Sequence, residues 1–252
     1  MNTSRRQFAR LSALGLVSAA VFCGSAQAWS WNNKGERITG NGDIATEARN
    51  TGSFDGVSLS GGFNVVIRQG SGNKVEIKAD RNVLPYIETE LDGRTLRIQP
   101  KKGFNISTST SPSFSIEMPA LRAVAVAGSG TIKVEAMKTG GVEAAIAGSG
   151  DIRFANLDAE RLAMKVSGSG DLVVAGRAAS ASVSIAGSGD VKAAEFAAEE
   201  VKVSIAGSGD AQVQATKALK VSIAGSGDVK YVGSPEISST VAGSGKVRRL
   251  EK

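Results

Sequence analysis

Gly-Ser-Gly occurs seven times between residues 128 and 245. The copies open at Gly128, Gly148, Gly168, Gly187, Gly207, Gly225 and Gly243 and close at Gly130, Gly150, Gly170, Gly189, Gly209, Gly227 and Gly245. Successive copies start 20, 20, 19, 20, 18 and 18 residues apart, the length of one coil of a β-solenoid. A tripeptide returning at that period marks one corner stacked on itself. Glycine turns sharply there without a Cβ clash, and small residues let adjacent coils approach to about 4.8 Å.

The residues flanking each corner alternate. Two positions before the first Gly stand Val126, Ile146, Val166, Ile185, Ile205, Ile223 and Val241. Two positions after the second Gly stand Ile132, Ile152, Leu172, Val191, Ala211, Val229 and Val247. Apolar residues two apart on both sides of a turn describe short strands with one buried face. The expected fold is all-β, a parallel β-helix with a narrow interior and about 18–20 residues per coil. The charged block from Lys246 to Lys252 is expected to discourage end-to-end growth.

Residues 51–121 carry a looser version of this pattern and are expected to form an irregular β cap. Leu59-Ser60-Gly61-Gly62-Phe63-Asn64-Val65 reads as a degenerate corner, and Ile38 to Ile44 as another. Val65 and Ile67, then Val75 and Ile77, read as strand, turn, strand around Gly70 to Asn73. Asp92-Gly93 signals a hairpin. Pro85 limits residues 82–87 to one helical turn, and the Ser/Thr-rich residues 101–113 read as weakly ordered. Residues 29–50 are expected to be a linker with a first strand, and residues 122–252 the regular array.

Residues 1–28 have the pattern of an export signal. Arg5, Arg6 and Arg10 supply a basic start, residues 11–22 a short apolar run, and Ala26-Gln27-Ala28 a cleavage site after Ala28. Ser4-Arg5-Arg6-Gln7-Phe8 resembles a twin-arginine signal, with Ala9 where that pattern prefers Leu. The expected location is therefore periplasmic or extracellular. Cleavage would remove Cys23, leaving no thiol for disulfides or metal sites. It would also reduce the net charge of +6 by three arginines, too low a balance to argue for nucleic acid or an anionic membrane. No later apolar run reaches spanning length.

Little in the chain suggests catalysis. There is no His, and Gly-x-Gly here is followed by a strand pattern rather than by the helix a phosphate site needs. A polysaccharide-lyase-like enzyme would need long loops that coils of this length do not supply. Asp151, Asp171, Asp190, Asp210 and Asp228 each follow a corner and form one column. They are candidate cation ligands, although calcium β-rolls use a nine-residue period and another spacing. The alternative is a charge-balanced ladder, with Asp151 pairing to Arg153, Asp190 to Lys192 and Asp228 to Lys230 within each coil. A column of corner serines (Ser129, Ser149, Ser169, Ser188, Ser208, Ser226 and Ser244) is a candidate surface. Its simpler reading is that a tight corner needs small residues. No cofactor is expected.

Several segments together resemble a known family. They are Phe54-Asp55-Gly56-Val57, Phe63-Asn64-Val65-Val66-Ile67, Asn82-Val83-Leu84-Pro85-Tyr86-Ile87, Gly93-Arg94-Thr95-Leu96-Arg97-Ile98 and the Ala-Gly-Ser-Gly-Asp coils. Over residues 38–250 the chain is similar to the head GIN domain of auto-transporter adhesins. The resemblance implies a right-handed parallel β-helix in an exported protein, with adhesion to a glycan or an envelope or surface protein and no catalytic residues to carry over. One departure is that this chain ends at Lys252, so an auto-transporter's membrane barrel is expected to be a separate protein. A self-assembling structural envelope protein is the alternative reading.

Overall fold

A computed structural model describes residues 35–250, which lie within one compact unit. The export signal expected at residues 1–28 falls outside the described residues. The strands in chain order are β1 (Glu36–Thr39), β2 (Ile44–Arg49), β3 (Gly56–Ser60), β4 (Asn64–Gln69), β5 (Lys74–Asp80), β6 (Ile87–Asp92), β7 (Thr95–Pro100), β8 (Phe104–Ser107) and β9 (Ser113–Met118). They continue with β10 (Ala123–Gly128), β11 (Thr131–Gly148), β12 (Asp151–Gly168), β13 (Leu172–Gly187), β14 (Val191–Gly207), β15 (Ala211–Gly225), β16 (Val229–Val232), β17 (Glu236–Gly243) and β18 (Val247–Arg249). One 3-10 turn, Leu84–Tyr86, accompanies them. No helix among the described residues is long and apolar enough to cross a membrane.

The array from β10 to β18 is a parallel β-helix. Every corner glycine aligns with the one a coil away, Gly128 with Gly148, Gly148 with Gly168, and onward to Gly225 with Gly243. The column Val126, Ile146, Val166, Ile185, Ile205 and Ile223 is buried, at about 1.5–3 kcal/mol of hydrophobic stabilisation per side chain. Its last member, Val241, is 40% exposed, because β17 lies on the final described coil and the edge beyond it is uncovered. The charged residues Arg248 and Arg249 sit on β18, which pairs with β16, so they do not screen Ile237 and Val241 on β17.

The long strands bend twice between corners. Register shifts between Phe154 and Leu157 and between Ala193 and Ala197 mark the first bend, where Phe154 and Phe196 fill the interior. Small inward residues elsewhere, such as Ala144, Ala193 and Ala211, keep the coil narrow.

The cap is where sequence and structure part. Leu59 to Val65 is a true corner: β3 pairs in parallel with β10, β4 with β11, and Gly61 lies against Gly128. Ile38 to Ile44 is not, since β1 pairs in parallel with β8 and β2 runs antiparallel to β5. Residues 101–113, read as weakly ordered, contain β8. Strands β4 and β5 do not form a hairpin; β9 lies between them, parallel to β4 and antiparallel to β5. Val75 and Ile77 thereby pair with Ile116 and Phe114 instead of with β4, and the four-strand run β4–β9–β5–β2 closes the end of the core. The Asp92-Gly93 hairpin forms as expected, with Asp92 opposite Thr95.

Asp55 ties cap to array. Its carboxylate accepts from Arg94 Nη2 at 2.8 Å in the hairpin and lies 3.4 Å from Arg122 Nε at the start of the array. The buried Asp80 accepts the Gly42 amide at 2.5 Å and so pins the β1–β2 turn.

Candidate functional site

The corner glycines are structural in their geometry. Gly187 has φ +130, and a Cβ there would sit 2.5 Å from the Gly168 carbonyl oxygen. That oxygen accepts the Ser188 amide at 2.9 Å, so each corner hydrogen-bonds the next. The serine side chains at these corners point to solvent.

The Asp column forms a ladder, but its links run between coils. The Asp190 carboxylate accepts the Asp210 amide at 3.0 Å, Asp210 accepts Asp228 at 2.8 Å, and Asp228 accepts Lys246 at 2.9 Å. Lys192 donates to Asp171 at 2.7 Å, and Arg248 lies 3.8 Å from Asp228. The in-coil partners expected from sequence, Asp151 with Arg153, Asp190 with Lys192 and Asp228 with Lys230, are not paired. Lys192 stands in register with Val173, so Asp171 lies diagonally across from it, and the long side chain spans that diagonal to the carboxylate one coil back. The hydrogen bond to Asp171 holds the Lys192 ammonium above its ordinary range. Among the described residues, no three His, Cys, Asp or Glu side chains gather as metal ligands.

This arrangement gives a test of the two readings of the column. Asp190→Ala removes the acceptor of a partly buried amide and is expected to cost about 1–3 kcal/mol in urea unfolding. Millimolar calcium is expected to leave the wild-type melting temperature unchanged. A large calcium-dependent rise that Asp190→Ala abolishes would instead assign the column to a metal.

Other exposed pairs follow the same inter-coil logic. Arg177 donates to Asp158 at 2.7 Å and holds that carboxyl below its usual range. Arg68 does the same for Glu135.

A concave groove runs along the axis at the second bend. It has a volume of about 970 Å³ and reaches from Arg122 beside β10 to Lys220 on β15. Five coil steps at about 4.8 Å give it a length of about 24 Å. Ladder pairing builds it in columns. The floor is the buried Val142, Leu162, Ala181 and Val201, which register with one another from β11 to β14. One rim is Gly141, Arg161, Ser180, Glu200 and Ala218; the other is Glu143, Ala163, Ser182, Lys202 and Lys220.

Depth comes from side-chain size. Ala163, Ser180 and Ser182 are short at the centre, with Arg161 and Glu200 flanking them on one rim and Glu143, Lys202 and Lys220 towards the ends of the other. None of the lining residues is aromatic.

The groove's charges are unevenly matched. Lys165 donates to Glu143 at 2.6 Å, and Arg122 is drawn to Asp55. Arg161, Glu200, Lys202 and Lys220 hold no ion pair among the described residues. Reading the sequence along the chain missed this groove, because its columns are assembled from five coils. Its signal was the period itself, which places Ser182, Lys202 and Lys220 one coil apart.

Comparison with known proteins gives a consistent result. The family model described as "Putative auto-transporter adhesin, head GIN domain" matches residues 53–235. No curated protein sequence matches. A crystal structure of a "putative adhesin" from Bacteroides fragilis superposes with a TM-score of 0.79 at 23% identity, covering 84% of this chain and 100% of that one. A "Putative lipid binding protein" from Parabacteroides distasonis gives 0.72 at 28% identity, covering 86% and 100%. A "putative adhesin" from Parabacteroides merdae gives 0.65 at 24% identity, covering 86% and 100%.

Proposed function

This chain belongs to the head GIN domain family, and from that premise we propose that it is an exported, non-catalytic binding module whose ligand lies lengthwise in the axial groove. The observation that carries this reading is the groove itself, a preformed concave strip about 24 Å long on rigidly stacked strands. A solenoid suits such a task, because each coil adds one unit of contact along a single direction. The two groove carboxylates support binding over hydrolysis. Glu143 and Glu200 lie three coils apart, about 14 Å, beyond the roughly 5–10 Å at which a carboxyl pair cleaves a glycosidic bond.

The test is a plug at the groove's centre. Ser182 is exposed on its strand, so Ser182→Trp leaves the core intact while filling the space above Ala181. The full chain and this variant are screened against a glycan array and immobilised lipid vesicles. Signals of the wild type that fall about tenfold or more in the variant, at unchanged melting temperature, support the groove; signals that persist remove it from the mechanism.

An acyl chain is the second occupant this aliphatic floor favours, and the Parabacteroides distasonis relative described as lipid-binding prompts the vesicle arm. The self-assembly alternative draws instead on Ile237 and Val241 at the uncovered edge of β17, and light scattering at rising concentration separates it.

A further inference from the structure

We infer that the groove recognises an acidic polysaccharide, with Lys202 and Lys220 as the residues that engage its carboxylates. This rests on the groove being the binding site, and adds the chemistry of the occupant. Lys202 and Lys220 are register partners on β14 and β15, about 4.8 Å apart on the same rim. Like charges directly opposite on adjacent strands are destabilising. Elsewhere the molecule avoids that cost by setting an acid one rung away, as Asp171 does for Lys192, Asp158 for Arg177 and Glu199 for Lys217. Lys133 and Arg153 also stack in register, but beside Glu135 and the Asp column. The lysine pair on the groove rim holds no ion pair among the described residues; Glu200 and Glu236, the register partners of Ala218, lie diagonally across the floor from Lys220.

Counting the groove residues without an ion pair leaves Arg161, Lys202 and Lys220 against Glu200, a surplus of two positive charges along the groove. Around them stand the hydroxyls of Ser180 and Ser182, and beneath them an aliphatic floor. Each feature suits one part of an acidic sugar chain: ammonium groups for carboxylates, hydroxyls for ring hydroxyls, and aliphatic carbon for the C–H faces of the rings. A bare polyphosphate would leave the floor unused, and a neutral glycan would leave the lysines unpaired. The repeat along the groove also matches a polymer, since each coil brings another set of contacts at a fixed step.

The experiment is calorimetric titration of the full chain with alginate, hyaluronate, dextran and linear polyphosphate, at low and moderate salt. Wild type is expected to bind at least one acidic polysaccharide, more weakly as salt rises, and dextran not at all. Lys202→Glu with Lys220→Glu is expected to raise Kd about tenfold or more, and Lys202→Gln with Lys220→Gln to raise it less. Lys133→Glu with Lys230→Glu, an equal charge change away from the groove, is expected to leave Kd within about twofold.

Four results overturn the inference. They are no binding of either acidic polysaccharide, binding indifferent to the groove reversal, equal weakening by the distant reversal, or polyphosphate or dextran binding as tightly as the acidic glycans. Ser182→Trp separates this failure from that of the groove. If the plug blocks a neutral glycan or vesicles while the lysine reversals change nothing, the groove stands and the acidic ligand falls. If the plug leaves alginate binding intact, the groove itself falls.

Discussion

Gly187→Ala is expected to lower the stability of the chain by about 4 kcal/mol and to leave its C-terminal coils poorly formed. Two costs add. At φ +130 the backbone lies outside any region a Cβ-bearing residue occupies comfortably, worth about 1–3 kcal/mol. The new methyl would also press on the Gly168 carbonyl oxygen at 2.5 Å and the Gly168 nitrogen at 3.1 Å, both backbone atoms that cannot swing aside. Overpacking of that kind typically costs a further 1–3 kcal/mol or so. The carbonyl is also the acceptor for Ser188, so moving it away breaks the hydrogen bond that links the two corners. Gly72→Ala is the control, since a Cβ there meets nothing within 4 Å and the φ is not positive. It is expected to change stability by no more than about 0.5 kcal/mol. Urea unfolding followed by circular dichroism reads both. If the two variants unfold together, corner stacking does not hold the array.

Phe196→Ala is expected to cost about 3–5 kcal/mol. Phe196 is 1% exposed and faces Gly176 in the coil below, at a bend where β14 and β15 lose their register. The neighbouring coil offers no side chain at Gly176 to fill the space that truncation would open. The cavity therefore persists instead of collapsing, and its cost lies at the upper end of the range. Phe196→Leu is expected to recover more than half of the loss. A loss below about 1 kcal/mol for the alanine variant would mean that the bend is loosely packed and that Phe196 is not its filler.

How far the sequence disclosed this depends on whether a feature repeats. The corners, the inward column from Val126 to Ile223 and the exposed Ser184, Ser204 and Ser222 could be read because the period places equivalent residues at equivalent heights. The cap could not, because its pairings obey no period. Nothing local tells Val75 that its partner is Ile116 instead of the nearby β4, since strand choice there is settled by which apolar faces close the end of the core. The Asp–Lys links were assigned to the wrong rung because strand alternation points only to the in-coil neighbour, whereas the long cation spans a diagonal to the carboxylate one coil back. The groove stayed hidden because each coil supplies only two to five of its residues, none distinctive alone.

The layer formed by β3 and β4 has a consequence for how the molecule assembles. It lies between β7 and β9 on one side and β10 and β11 on the other, so spatial order and synthesis order disagree. Pairing Gly56 with Ala123 closes a segment of roughly 67 residues, where each later coil closes one of about 20. The entropy difference is about 1 kcal/mol, and the intervening strands must find their own partners first. Acquisition of structure is thus expected to stall at this junction and then run quickly towards β18, each new coil templated on a finished edge. The chain is expected to be most vulnerable to proteolysis during that pause, before the first rung has a seat.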